Sequence, residues 1–155
     1  MSERGRVGPV ARALGFAGLL PQAAVIVDWL LAPDAQGGMN RSMSALAFVY
    51  AALILSFLGG MWWSIAMRRT TDQGWLAAAA VLPSLVALGS FTFLEASFWR
   101  GWALIVVGSA IMLTLIVDRR LVSNGEAPEG WMALRVPLSV GLGGLTIAAG
   151  ALTGS

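Results

Sequence analysis

Five stretches of this 155-residue chain each run for close to twenty residues with almost no charge, and that pattern fixes the solvent before any other argument applies. A helix needs about 20 mostly apolar residues to cross the hydrocarbon of a bilayer. The runs at 13–32, 44–67, 74–94, 101–117 and 134–152 meet that length. They predict an all-α polytopic membrane protein, a single domain over 1–155 built as a bundle of five transmembrane helices. Composition points the same way: 57% of the residues are apolar and 12% charged, about half the charged share of a soluble domain. So little charge cannot coat a water-facing surface.

The gaps between runs are short and hold turn formers, Pro33, Asp34, Gly37 and Gly38 in the first and Asn124, Gly125, Pro128 and Gly130 in the last. The segment behind Arg4, Arg6 and Arg12 resembles a secretory signal, but its apolar stretch exceeds the 7–15 residues or so of a signal's core and is read as a retained helix. Arginine placement sets the threading, because cytoplasmic loops keep the positive charge. Arg4, Arg6, Arg12, Arg68, Arg69, Arg119, Arg120 and Arg135 fall on one side, Arg41 and Arg100 on the other. The N-terminus is expected in the cytoplasm and the C-terminus outside. All seven tryptophans lie near run ends, as expected of interfacial indoles. Trp62 and Trp63 are read as anchors of this kind.

The chain has no cysteine, no histidine and no lysine. Disulfides, thiolate nucleophiles, serine–histidine hydrolysis, the usual zinc and haem ligation, Schiff bases and P-loop chemistry all go with those letters. No cofactor and no metal are expected. Met39 and Met43 are too few thioethers for a copper site. A net charge of +2 is no nucleic-acid footprint.

Ser56, Gly60 and Ser64 recur every four residues in the second run, and Gly141, Gly144 and Ala148 do nearly the same in the fifth. Small residues at that spacing let another backbone approach closely. These two faces are expected to pack inside the protein, with a homodimer contact as the other use. Pro21 and Pro83 interrupt the first and third runs, where a missing N–H bends a helix. Paired bends can line a cavity.

Several stretches carry a resemblance: Leu14-Gly15-Phe16-Ala17-Gly18-Leu19-Leu20-Pro21, then Ile54-Leu55-Ser56-Phe57-Leu58-Gly59-Gly60 with Trp63 three residues on, then Leu82-Pro83-Ser84, then Asp118-Arg119-Arg120. Together they resemble the small membrane-protein family catalogued as domain of unknown function 3429, which is similar to transmembrane protein 69 of mitochondria. The likeness spans nearly the whole chain. Its most specific part is the Ser-Phe-Leu-Gly-Gly run, although Trp62 stands where the family commonly has a histidine. The resemblance implies a five-helix protein of the bacterial cytoplasmic (inner) membrane with no established activity.

Charge inside lipid costs about 2.5–3.5 kcal/mol near a helix centre, so each ionisable residue in a run is a candidate site. Asp28 leads, with Gln22 on the same helix and Glu95 and Arg100 on the same side. Asp28 and Glu95 could hold a proton, cation or amine in a polar vestibule, with Arg100 setting their charge state and Gln22 as a further candidate binding residue. The alternative is that Asp28 pairs with Arg41 or Arg100 at the interface and that Gln22 hydrogen-bonds a neighbouring helix. On the cytoplasmic side Arg68, Arg69, Asp118, Arg119, Arg120 and Arg135 form a candidate contact for anionic lipid headgroups or an acidic partner loop, or Asp118 pairs with one of these arginines and locks helices together. The first functional expectation is a non-catalytic accessory, assembly or stabilising subunit of a larger membrane complex. The alternative is a small carrier, channel or lipid-binding protein with its polar group near Asp28. A membrane enzyme has the least support, since the available acids and bases are scattered carboxylates.

Overall fold

The computed structural model describes residues 7–31, 41–95 and 100–153, with the side chains of residues 94 and 95 outside that description. The readings of Arg4, Arg6, Pro33, Asp34, Gly37, Gly38, Met39, Trp99 and the Glu95 side chain therefore lie outside the described residues. Within them the chain forms six helices and no strand: α1 (Pro9–Ala17), α2 (Leu20–Leu31), α3 (Arg41–Ala66), α4 (Gln73–Glu95), α5 (Arg100–Ser123) and α6 (Trp131–Thr153). α1 and α2 are two halves of one apolar segment. Five segments are thus long and apolar enough to cross a membrane.

The largest departure from the expected bounds is in α5, which continues to Ser123 and not to 117. Charge at 118–120 reads as an exit from lipid, yet Asp118 is buried and paired, so the helix has no reason to stop there. It stops at Gly125, whose φ of 73° puts it in the left-handed region. There the Gly125 N–H donates to Val122 O and the Glu126 N–H to Leu121 O, which closes the last carbonyls in a Schellman turn.

The first segment breaks at Gly18 and Leu19. Pro21 has no N–H to offer Ala17 one turn back, and the helix restarts at Leu20. Carbonyls left open around such a break need other donors in lipid, and the next one along the chain is met from α3. The Tyr50 hydroxyl of α3 donates to Gly18 O. Pro83, by contrast, stays inside a continuous α4, its ring packed against Gly59 of α3.

α5 and α6 form the closest helix pair, antiparallel along a seam of glycines. A Cβ on Gly108 would lie 2.7 Å from Gly143 O, and one on Gly150 would lie 2.6 Å from Gly101 O. Real side chains do not fit at such distances, so the backbones touch directly. Gly101 and Gly108 stand seven residues apart, as do Gly143 and Gly150, which keeps both on one face through two turns. α3 lies against α5 and α6, α4 covers α3 and α5, and the α1–α2 segment covers α3 and α6.

The small-residue faces expected from the sequence are displaced by one position. Gly60 and Ser64 are exposed, and a Cβ on Gly60 or Gly144 would meet nothing within 4 Å. Gly59 is the residue that packs, since its Cβ would collide with the Ala80 carbonyl, and on α6 the packing glycines are Gly143 and Gly150. One residue is about 100° of rotation on a helix. Leu55, Leu58 and Trp62 pull Gly59 inward and leave Ser56, Gly60 and Ser64 toward the outside. Gly141 does pack, against Leu19 at the break. The outer surface carries Leu14, Leu30, Leu53, Leu88, Trp102 and Leu113, the apolar coat of a chain solvated by lipid.

Candidate functional site

Three crossing segments bring a polar cluster together at the arginine-rich end. Thr114 and Asp118 share a face of α5 at one-turn spacing, and Arg135 and Ser139 do the same on α6. Antiparallel packing sets the two faces against each other. The Arg135 Nε–H donates to Asp118 Oδ2 at 2.8 Å, and its NH2 group donates to Thr114 Oγ1 at 3.2 Å. From α3 the Trp62 indole N–H donates to Asp118 Oδ1 at 3.0 Å. Asp118 is 0% exposed, Trp62 3% and Arg135 6%. Both carboxylate oxygens thus have strong donors, which is the condition under which a buried ion pair holds. Trp62 is a core residue and not an interfacial anchor; Trp63, its neighbour, points outward. Chemically the cluster holds helices together. Its carboxylate is sealed from water.

A second ion pair lies outside the spans. Arg69, just after α3, grips both oxygens of Glu126, with Nε to Oε1 at 2.7 Å and NH2 to Oε2, and its NH1 donates to Asp72 O at 3.2 Å. These hydrogen bonds hold Glu126 below its ordinary carboxylate range, against partial burial, and raise Arg69 above its usual value. The guanidinium groups of Arg69 and Arg120 lie 5.1 and 5.8 Å from the Trp75 ring centre, within cation–π range. Arg68, Arg119 and Arg120 remain exposed, so within the expected cytoplasmic patch the members divide. Asp118 and Arg135 face inward, Arg69 is locked to Glu126, and three arginines face outward.

Of the residues expected around the vestibule, Gln22 and Asp28 stand apart, and Gln22 takes its other expected role, a bond to a neighbouring helix. Gln22 is fully buried and its Nε2 donates to Thr146 Oγ1 of α6 at 2.9 Å. Asp28 lies six positions on, about 120° around α2 from Gln22, and is exposed. Arg100 opens α5, and the Glu95 side chain lies outside the described residues. α2 and α4, which carry Pro21 and Pro83, share α3 as a neighbour, while α2 also packs on α6 and α4 on α5. Among the described residues no group of three or more carboxylate, histidine or cysteine side chains could hold a metal.

Two concavities accompany the cluster. One of about 390 Å³ lies between the α1–α2 break, α3 and α6, with Arg135 and Ser139 in its wall. Another of about 350 Å³ lies at the arginine-rich end, between Met61 and Trp62 of α3, Arg68 just after it, the loop residues Gly125 to Pro128, and Trp131 at the start of α6. Sequence reading did not reach Thr114, Ser139 or Glu126. The one available signal was the one-turn spacing of Thr114 with Asp118 and of Arg135 with Ser139, a polar pair on each arm of a predicted hairpin.

A family model described as "Protein of unknown function (DUF3429)" matches residues 7–152. No protein of curated function and no solved structure matches the chain.

Proposed function

The chain belongs to the DUF3429 family of proteins of unknown function, and on that footing we propose that it is a non-catalytic accessory protein that docks laterally on another membrane protein and stabilises it. One observation carries this reading. The bundle uses Gly59, Gly101, Gly108, Gly143 and Gly150 for its own packing, yet α3 has a second smooth stripe, Ser56, Gly60 and Ser64, that no described helix covers at Gly60 and Ser64. Exposed Phe57 and Trp63 flank the stripe. In lipid, where no hydrophobic force drives helices together, small residues that admit a close backbone are the main source of association. Exposed Arg68, Arg119 and Arg120 at the same end suit anionic headgroups or an acidic loop of the partner. By the positive-inside rule that end is cytoplasmic, which puts the N-terminus in the cytoplasm and the C-terminus outside in a bacterial inner membrane. The burial of Asp118 between Arg135 and Trp62 supports a structural and not a catalytic use of that carboxylate.

For the alternative carrier or small-molecule reading, Asp28 stands exposed on α2, apart from the buried Gln22. The polar groups that do face a concavity are Arg135 and Ser139.

Site-specific photo-crosslinking in native membranes tests the docking reading. A photoreactive residue at Gly60 should give one discrete adduct, and the same residue at Leu85 on α4 should not. Ser56→Leu with Ser64→Leu should abolish the adduct. An adduct of twice the chain mass would make the partner a second copy. Equal, diffuse labelling at both positions would refute docking through α3.

A further inference from the structure

The break at Gly18–Leu19 does more than bend the first segment. Gly15 and Gly18 line the 390 Å³ cleft there, which lies against α3 and α6. That size lies within the range of about 300–1,000 Å³ seen for small-molecule sites. The walls are apolar: Leu14, Leu19, Ile54, Phe57 and Leu138 among them. Two polar groups interrupt them, one turn apart on α6. Ser139 is 1% exposed and its Oγ has no hydrogen-bond partner. Arg135 uses its Nε–H on Asp118 and one NH2 hydrogen on Thr114, which leaves guanidinium N–H groups for another acceptor. A buried hydroxyl without a partner in an apolar wall is unusual enough to require an explanation.

We infer that this cleft binds an uncharged amphiphile, whose carbonyl oxygen accepts from Arg135 and Ser139 and whose apolar tail lies along the leucines of α1 and α6. The donors set the chemistry of the head, since a guanidinium can only donate and calls for an oxygen acceptor. Charge sets the rest. Asp118 already balances Arg135 at 2.8 Å, so a carboxylate or phosphate here would be a second anion on one guanidinium in a medium that screens poorly. An amine would sit beside a fixed cation. A neutral carbonyl avoids both. Two membrane-soluble classes carry one on an apolar tail, a quinone ring and a glyceride ester, and they share the chemistry the cleft reads. The inference is independent of docking through the Gly60 stripe.

The test uses the full chain purified in detergent micelles. Decylubiquinone, dioctanoylglycerol and dodecanoate are titrated separately while thermal unfolding is followed by circular dichroism, with tryptophan fluorescence as a second readout. Ligand that binds only the folded state raises the unfolding midpoint in a saturable way. At least one neutral probe should do so, and whichever does identifies the class; dodecanoate should bind more weakly. Ser139→Ala removes a hydroxyl that has no partner, so the unliganded midpoint should stay unchanged while affinity falls about threefold to tenfold, the loss of one neutral hydrogen bond. Leu138→Trp, which fills the cleft, should abolish saturation. Absence of saturable binding by both neutral probes, tighter binding of dodecanoate, or binding insensitive to both substitutions would overturn the inference.

Discussion

Replacing either member of the Gly59-Gly60 pair by alanine adds the same methyl group to the same helix, one position apart. Any gain from helix propensity, about 1 kcal/mol for alanine over glycine, is therefore common to both variants and cancels in the comparison. What remains is packing. At Gly59 the new Cβ collides with the Ala80 carbonyl oxygen and sits 3.4 Å from Pro83 Cγ, so α3 and α4 must move apart. At Gly60 it meets nothing within 4 Å. Backbone is a less yielding neighbour than a side-chain tip, and overpacking of this kind costs about 1–3 kcal/mol. Gly59→Ala should accordingly be less stable than Gly60→Ala by about 1–3 kcal/mol, with Gly60→Ala equal to or above the parent. Equilibrium unfolding in mixed micelles, followed by helical circular dichroism, gives the two values side by side. Equal stabilities, or the reverse order, would refute the register assigned to α3 and with it the exposure of the Gly60 stripe.

The same logic extends to α6, where Gly143→Ala should destabilise and Gly144→Ala should not, since only the first would press a Cβ on Gly108 O at 2.8 Å. Tyr50→Phe removes the donor to Gly18 O at the helix break and should cost about 1–3 kcal/mol by the same unfolding assay, because the carbonyl is left without a partner. Gln22→Leu should cost little, about 0.6 kcal/mol for an average interhelical hydrogen bond in a membrane; a loss several times larger would mean that the Thr146 contact is not its main one. The Arg69–Glu126 pair gives a pH signature. The folded state depresses Glu126 below its ordinary 4.5, so its contribution is complete above that value and is lost as pH falls through the depressed one. Glu126→Gln should flatten the stability profile in that acid window and leave neutral-pH stability within about 1 kcal/mol.

Segment number was legible because length and apolarity are additive properties of a run, and each run stands between loops rich in glycine, proline and charge. Rotation about the helix axes was not. In lipid both the buried and the outward faces are apolar, so the amphipathic contrast that orients a soluble helix is missing. Gly59 and Gly60 show the result: four-residue spacing picked Ser56-Gly60-Ser64, while the bulk of Leu55, Leu58 and Trp62 turned Gly59 inward. Trp62 was hidden for a related reason, because a tryptophan near a helix end fits the interface equally well whether its N–H meets water or a buried carboxylate. Asp118 stood out as a charge, but its partner lies across a turn and depends on the register of the α5–α6 seam. That register rests on glycines seven residues apart, which four-residue spacing does not detect. Asp28 stood out as a charge near the outer end of its run, and its direction depends on the break at Gly18, which Pro21 signals without giving an angle.

The buried Asp118–Arg135 pair ties α5 to α6 beneath Trp62 and is the central contact of this end of the bundle. A double-mutant cycle on Asp118 and Arg135, read by reversible unfolding in mixed micelles, tests it directly. Asp118→Leu alone strands a guanidinium and Arg135→Met alone strands a carboxylate, each at about 3–5 kcal/mol. With both replaced no uncompensated charge remains, and the double variant should be more stable than either single one. A double variant that loses the sum of the two single losses would show that the side chains act separately, and the packing described for this end of the bundle would be wrong.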